Sequence, residues 1–471
     1  MEHGILQSRQ KKEKKISKPE NIFLVIATVL GLAFALLQPL FIEPDSSYHF
    51  DHAMYISNTV VDRAKIGFPA EDYQSAPVPF DTVSTMMKEG TYFKNFFETK
   101  LPLISQKEAN PRVSAGYGKK WNLTWYNDVM HIVPALGVKL GYMIYPSVGS
   151  MEITARIFSL IFFIVSMFFI IKKLKAYKMF FVAISVTPTI IQTATSLSYD
   201  CYNYVASAFM IMAVINLAVD IQDGKEIKFK SFILRILAPS VTLYFTKVNS
   251  KLLYLIIPAL LIYLIGKKLK ISLSKIQLIL GTLGALFLAF IFFCIKYSSH
   301  LDLIGKKLFY SFIEPYYTVL TTEVISGTNT NGIPAWLFPI QCAVLILLLL
   351  SYEKKRVPDW FAWGAFGVAV LNLFAVLISF AINPDFVDYA NRIITGAQGR
   401  YFTPFLLLLP PIFSILATKI TVKSGTWLKR TVILVSVLVL VFNLGITSIK
   451  FYHLQLPADE YRSGISHYIF K

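Results

Sequence analysis

Long apolar runs alternate with short polar segments along most of the chain, and each run is close to the length of a membrane-spanning helix. The first run extends from about Asn21 to Ile42. About 20 apolar residues are needed to cross the hydrocarbon core of a bilayer. The pattern therefore predicts an all-α polytopic membrane protein with about eleven transmembrane helices. The ten later spans are about 151–171, 179–195, 202–219, 232–247, 252–266, 276–295, 335–351, 359–382, 401–418 and 431–448.

The segment between the first two spans has a different character. Residues 43–150 are mostly polar, rich in aromatic residues and prolines, and contain one moderately apolar piece at about 129–145. His131, Pro134 and Lys139 interrupt that piece. We interpret it as an interfacial or re-entrant helix rather than a full span, because its apolar face is incomplete. Residues 43–150 are then a large first external loop with interfacial helices, able to form a small cap on the membrane.

Short basic clusters between the spans predict the orientation. When the spans alternate in direction from the first one onward, every cluster falls on the same side as the basic N-terminus. The positive-inside rule identifies that side as cytoplasmic. This places the N-terminus inside, the C-terminus outside, and the loops 43–150, about 297–334 and about 383–400 outside a bacterial cytoplasmic membrane. The whole chain, 1–471, is expected to form one transmembrane domain. The clusters are Lys172, Lys173, Lys175 and Lys178; Lys225, Lys228 and Lys230; Lys267, Lys268 and Lys270; Lys354, Lys355 and Arg356; and Lys419, Lys423, Lys429 and Arg430.

Composition agrees with a membrane protein and excludes several other classes. Only 16% of the 471 residues are charged and the mean hydropathy is +0.55, whereas soluble domains carry about 25% charged residues. The net charge of +18 does not favour nucleic-acid binding, because the basic residues lie in the short inside loops. The three cysteines have no spacing typical of a disulfide framework or a zinc site. No phosphate-binding loop motif is present either.

The first external loop begins with a group of acidic residues and histidines. Glu43, Asp45, His49 and His52 follow the first span directly. A carboxylate at this depth has little water around it, which can raise its pKa into the range of a general base. The alternatives are a solvated loop in which Asp45 caps a surface helix, and, less favoured, a divalent cation held by Glu43, Asp45 and His49.

Two further groups follow at the outer ends of helices. Asp128 and His131 are three residues apart and therefore share a helix face, with Tyr126 close by. They are either interfacial anchors or part of a site. Glu152 and Arg156 are four residues apart in the favourable order for an ion pair within the helix. Arg156 is alternatively a ligand for an anionic head group.

Polar turns near the later spans supply the remaining candidates. Asp200 begins a span after a polar turn and either caps that helix or belongs to a site. Lys247 and Lys251 lie between two short spans, where they either extend to the lipid phosphates or bind the phosphate of a lipid substrate. Arg400 and Tyr401 begin the tenth span, and the planar fork of donors on arginine suits phosphate.

In the order and placement of these motifs, nearly the whole chain resembles the multi-pass glycosyltransferases of the GT-C fold. The resemblance is to a bacterial family related to the protein O-mannosyltransferases and the aminoarabinose transferases. In such enzymes a second acid commonly follows the first acid of the first external loop, whereas this chain has Ser46 after Asp45. That departure disfavours a metal-dependent site with two carboxylates. The motifs are Pro44-Asp45 with His49, His131 and Pro134 leading to Arg156, Ser198 and Asp200, Lys247 and Lys251, and Gly399-Arg400-Tyr401-Phe402 with Pro404.

The resemblance implies a membrane glycosyltransferase that moves a sugar from a polyprenyl-phosphate donor to a cell-surface glycan or another acceptor, with inversion at the anomeric carbon. It implies Asp45 as the general base and no cofactor. Two alternatives remain open: a polysaccharide polymerase or ligase acting on lipid-linked glycans, and a flippase or transporter of lipid-linked sugars. The donor phosphate or lipid would meet Arg400, Lys247, Lys251, Arg156 and His131, and the acceptor or sugar would meet His49, Tyr126, Asp200 and Tyr401.

Overall fold

The structure is a computed structural model of the chain. It describes residues 18–38, 40, 43, 46–59, 125–268, 274–313, 323–327, 332–351, 356–382, 393–394, 396–414, 420, 422 and 425–452. Asp45 and the side chain of Tyr126 lie outside the described residues.

The described residues are overwhelmingly helical, and their only β-type pairing is an isolated bridge between Ser351 and Val422. Short 3-10 helices cover 249–255, 298–300, 399–401 and 403–408. The α-helices are α1 (Pro19–Leu37), α2 (Ser46–Ser57), α3 (Trp125–Ile144), α4 (Val148–Lys173), α5 (Lys178–Ser185), α6 (Pro188–Ala194), α7 (Asp200–Gln222), α8 (Phe229–Tyr244), α9 (Ile256–Lys268), α10 (Lys275–Lys296), α11 (Leu301–Ile313), α12 (Leu337–Leu349), α13 (Asp359–Ile382), α14 (Leu409–Phe413) and α15 (Thr426–Tyr452).

Seven helices among the described residues are long and apolar enough to cross a membrane. The chain is therefore a helical, multi-pass membrane protein, as the apolar runs predict. Two shorter apolar helices, Leu337–Leu349 and Thr403–Phe413, coincide with two further predicted spans. A total of eleven spans stays a prediction. The seven are Pro19–Leu37, Gly149–Lys173, Asp200–Gln222, Asn249–Gly266, Ile276–Lys296, Asp359–Ile382 and Thr426–Ser448.

The predicted span 179–195 is wrong as a single helix. The structure divides it into α5 and α6, and Thr187 between them has extended backbone. Pro188 is the cause, because it lacks an N–H and disfavours helical backbone in the residue before it. Both short helices are almost completely buried.

Helix α3 covers the apolar piece 129–145, for which we predict an interfacial or re-entrant helix. It is not among the seven long apolar helices. It packs closely against α4 through two glycines one helical turn apart. A Cβ built on Gly137 would lie 2.4 Å from the Cα of Ala155, and one on Gly141 would lie 2.7 Å from the Cα of Met151. Small residues spaced four apart permit this backbone-to-backbone approach.

The buried hydrophobic residues form three clusters, one of them around Ile304, Val376 and Phe402, and the other two distinguish the main bundle from α2 and α3. The large one runs through α1, α4 to α9 and α12 to α15. The small one joins α2, α3 and the first turns of α4, with Phe50, Ala135 and Met151 among its members. Leu40 and Leu197 also belong to the small cluster. Helices α2 and α3 are thereby fastened to the bundle at the end where α1 finishes and α7 begins.

Candidate functional site

A group of buried polar side chains lies at that end of the bundle, at the edge of the small hydrophobic cluster. Segments that are far apart in the sequence contribute to it. They are α2 with Tyr48, His49 and His52, α3 with Asp128 and His131, the turn before α7 with Tyr199, the start of α7 with Asp200, the turn after α8 with Lys247, and the 3-10 helix 399–401 with Arg400 and Tyr401.

Helices α2 and α3 face each other through three histidines and an aspartate. The Nδ1 of His49 lies 2.9 Å from the Nε2 of His131, and the Nε2 of His52 lies 2.9 Å from the Oδ1 of Asp128. The rings of His52 and His131 are stacked, with centroids 4.3 Å apart. Each helix contributes two residues that are three apart and so share one face. The prediction that Asp128 and His131 share one helix face is confirmed, and both bond to residues of α2.

His49 and His52 are buried, and burial favours their neutral form. The pKa of His49 is held well below its usual value by burial, and the nearby His131, Arg400 and Lys247 lower it further. Burial also lowers the pKa of His52, although its bond to Asp128 opposes that effect. A neutral imidazole carries one donor and one acceptor nitrogen. This pair of rings can therefore bind a hydroxyl group or pass a proton.

Two cations share one carboxylate beside the histidines. Lys247 pairs with Oδ1 of Asp200, and the Nε of Arg400 lies 3.0 Å from Oδ2. The side chains are only 13%, 7% and 7% exposed for Lys247, Asp200 and Arg400. The group carries one net positive charge in a setting with little water to screen it. The interpretation of Asp200 as a helix cap is wrong, because Tyr199 occupies the N-cap position and Asp200 reaches the two cations instead.

Two tyrosines enclose Lys247 and join the cations to the histidines. The Nζ of Lys247 lies 4.6 Å from the ring centroid of Tyr199 and 4.2 Å from that of Tyr401. The ring of Tyr199 also contacts that of His49 in an edge-to-face arrangement, with centroids 4.8 Å apart. Burial raises the pKa of the Tyr199 phenol, so the ring stays uncharged. The histidines and the charged group are consequently one continuous site.

Backbone contacts hold the separate segments in place. The N–H of Lys247 donates to Oδ1 of Asn203 at 3.3 Å, which fixes the turn after α8 to α7. Asn249 donates to the carbonyl of Tyr401 at 3.2 Å. The N–H of Gly399 donates to Oε2 of Glu323 at 3.0 Å, and Glu323 is itself buried.

Arg156 belongs to an ion-pair network with Glu43 and Glu152. It is completely buried, 2.6 Å from Glu152 and 3.0 Å from Glu43, and it donates to the carbonyl of Gln38 at 3.1 Å. The predicted pairing of Glu152 and Arg156 within the helix is confirmed. Glu43 also accepts from the N–H of Leu197 at 3.3 Å. Because its guanidinium is surrounded by carboxylates, we infer that Arg156 orders the chain entering the site, rather than binding a phosphate.

The other predicted residues divide into three groups. His49, His131, Asp200, Lys247, Arg400 and Tyr401 come together as described. Lys251 lies over the ring of Tyr244, 5.1 Å from its centroid. Asp45 and the side chain of Tyr126 fall outside the described residues, so their roles stay predictions, as does a cation at Glu43, Asp45 and His49. Within the described part of the chain, no group of three or more histidines, cysteines or acids is arranged to hold a metal ion.

Sequence reasoning missed Tyr199 and Glu323 as site residues. Tyr199 lies in the polar turn that drew attention to Asp200, so its position between two polar residues was an available signal. Glu323 acts through the backbone of Gly399. A contact to a backbone N–H carries no signal in the sequence, because any residue except proline supplies one.

The fold and site define a helical, multi-pass membrane protein with a buried charged site at one end. A profile of the family described as "Predicted membrane protein (DUF2142)" matches residues 28–409, which are 382 of the 471 residues. The chain belongs to this family of membrane proteins. Comparisons with curated proteins and with solved structures find no match.

Proposed function

We propose that this protein is a membrane glycosyltransferase that takes its sugar from a polyprenyl-phosphate donor and transfers it to an acceptor on the external face of the membrane. The observation that carries the proposal is the buried Lys247–Asp200–Arg400 group, in which Lys247 lies between two tyrosine rings. The group lies beside the bonded pair His49 and His131. The resemblance of the chain to GT-C glycosyltransferases supports the same function.

The charged group suits a phosphate that leaves during the reaction. When the bond between the anomeric carbon and the phosphate oxygen breaks, negative charge develops on that oxygen. Lys247 and Arg400 are already oriented by Asp200, so they meet this charge without reorganising. Tyr199 and Tyr401 flank Lys247 with apolar ring surface, which limits the water that could screen its charge.

The acceptor enters from the side of α2 in this proposal. Asp45 removes the proton from the acceptor hydroxyl, the hydroxyl oxygen attacks the anomeric carbon from the face opposite the phosphate, and polyprenyl phosphate departs. His49 holds the acceptor hydroxyl through its Nε2, because its Nδ1 is bonded to His131. Asp45 lies in the sequence between Glu43, which pairs with Arg156, and α2, whose Tyr48 contacts Tyr199. These sequence neighbours of Asp45 support the assignment.

Transfer of labelled sugar tests the proposal directly. Purified protein is incubated with labelled polyprenyl-phosphate sugars and candidate cell-surface acceptors, and both transferred sugar and released polyprenyl phosphate are measured. We expect Asp45→Asn, Lys247→Ala and Arg400→Ala each to lose at least about 100-fold in rate, the scale of one electrostatic or proton-transfer contribution. Lys296→Ala and Arg430→Ala alter exposed cations outside the site and are expected to keep the wild-type rate.

The same preparation separates the rival functions. Full transfer activity in both Asp45→Asn and Arg400→Ala would refute the proposed site. Products that grow by many sugars would favour a polymerase. Movement of lipid-linked sugar across liposomes by Asp45→Asn, without transfer, would favour a transporter.

A further inference from the structure

A groove lies among three helices of the bundle. It has a volume of about 350 Å³ and runs between α4, α7 and α8. Its lining residues are Phe162, Ser166, Phe169, Ile170, Lys173, Tyr202, Val205, Ala206, Phe209, Met212 and Thr242.

The groove has the length of one membrane leaflet. Its lining on α4 extends from Phe162 to Lys173, and eleven residues of α-helix span about 16 Å. Half of a typical hydrocarbon core is about 15 Å. Helix α7 runs beside α4 in the same direction, with the ring of Tyr202 stacked on that of Phe162 at one end of the groove.

The surface of the groove is suited to a hydrocarbon chain. Most of its lining side chains are aliphatic or aromatic. The hydroxyl of Tyr202 is occupied, because it donates to the carbonyl of Thr242 at 3.1 Å. The one charged residue of the lining, Lys173, is exposed and lies at the last turn of α4. A chain in the groove therefore meets a cation at one end only.

That end of the bundle carries a strong excess of positive charge. Segments 172–178 and 220–235 together contain eight basic and three acidic residues. Asp220 is already shared by three of the cations, Lys175, Lys225 and Arg235. Asn216 holds the adjoining chain in place by bonding the N–H of Lys175 and the carbonyl of Lys173. Basic pockets between transmembrane helices are typical binding sites for anionic lipid head groups.

We propose that this groove binds one acyl chain of an anionic phospholipid, whose head-group phosphate lies at Lys173. This site is separate from the proposed transferase site and does not depend on it. Asp200 and Asp220 mark the two ends of α7, and 20 residues of helix separate them by about 30 Å. The excess of cations at the Lys173 end is the reason for choosing an anionic lipid over a zwitterionic one.

Lipid titration of the delipidated, purified protein tests the site. Native mass spectrometry measures binding of phosphatidylglycerol and phosphatidylcholine with identical acyl chains. We expect one phosphatidylglycerol to bind in preference to phosphatidylcholine. Lys173→Ala should weaken that preference about fivefold, the scale of one basic residue at an anionic head group. Lys230→Ala is the matched control, because Lys230 is exposed at the same end but outside the groove.

A second pair of variants tests the groove itself. Ser166→Phe fills it from a half-buried position on α4, whereas Ala285→Phe adds the same side chain on the exposed surface of α10. We expect only Ser166→Phe to abolish the bound lipid. Three results would overturn the proposal: equal binding of the two phospholipids, an equal effect of Lys173→Ala and Lys230→Ala, or unchanged lipid retention in Ser166→Phe. Lys173→Ala alters no packing, so it stays informative if Ser166→Phe folds poorly.

Discussion

The close approach of α3 and α4 makes Gly137 the position at which one added methyl group should disturb the cap most. The Cβ of alanine there would lie 2.4 Å from the Cα of Ala155 and 2.8 Å from the carbonyl oxygen of Thr154. Ordinary contacts of a Cβ begin at 3.4 Å, so the two helices must separate by about 1 Å. Both obstructing atoms are backbone, and a change of rotamer cannot relieve the contact.

The magnitude follows from that displacement. Overpacking of this kind costs about 1–3 kcal/mol of folding free energy. It should lower the melting temperature of the protein by roughly 1–3 °C. Helix α3 also carries His131, whose ring nitrogen lies 2.9 Å from that of His49. A shift of about 1 Å would move that bond beyond hydrogen-bonding distance.

Thermal unfolding of the purified protein in nanodiscs measures the effect, with Gly364→Ala as the control. Gly364 is also inside a helix, but a Cβ there would meet no atom within 4 Å. Alanine is the better helix former, so this control should melt at the wild-type temperature or above it. If Gly137→Ala melts together with Gly364→Ala, the close contact of α3 and α4 is refuted.

Three further predictions concern buried charges. Arg156→Met should lower the free energy of unfolding by about 3–5 kcal/mol, because it leaves two carboxylates buried without their cation. Adding Glu152→Gln should restore part of that loss, and denaturant titration measures both effects. Asp220→Asn should lower the free energy of unfolding by about 1.5–3 kcal/mol, because three cations lose their charged partner. The side chain of Lys225 is 55% exposed, so Lys225→Ala should leave the melting temperature nearly unchanged. The free energy of unfolding should be constant above about pH 6.5 and fall below that pH. The reason is that unfolded His49 takes up a proton near its ordinary pKa of 6.5, whereas folded His49 resists protonation. Melting temperatures from pH 5 to 8 check this in wild type and His49→Asn.

Each of these has a result that would contradict it. A stable Arg156→Met protein would mean that Glu43 and Glu152 do not depend on the guanidinium. Equal losses from Asp220→Asn and Lys225→Ala would mean that Asp220 does not organise its cations. If the pH dependence below 6.5 were the same in His49→Asn as in wild type, His49 would not be its source.

The longest helices were predictable from the sequence. The runs at 151–171, 202–219, 276–295 and 359–382 each coincide with a helix that can span a membrane. An uninterrupted run of about 20 apolar residues leaves few other structures, because only a helix satisfies its own backbone in lipid. The break between α5 and α6 at Pro188 could also be predicted from the sequence. The prediction of a single span gave more weight to the apolar run around the proline than to the proline itself.

The choice between structural and functional roles depended on tertiary structure. Glu152 was recognisable as a partner of Arg156 from their spacing alone. The second carboxylate, Glu43, comes from another segment 113 residues away. That contact extends a helix-end ion pair into a buried network, and it favours the structural interpretation of Arg156 over that of a phosphate ligand.

The sequence by itself determined that the chain crosses a membrane through helices, and that Asp200, Lys247 and Arg400 lie near helix ends. Those properties depend on local hydropathy, which is set by neighbouring residues. Only the tertiary structure decided that Asp200 pairs with both cations and that Tyr199 joins them to His49. Such partners lie in turns that are distant in the sequence and are brought together by helix packing. This packing depends on the shapes of side chains throughout the bundle, which a local stretch of sequence does not specify.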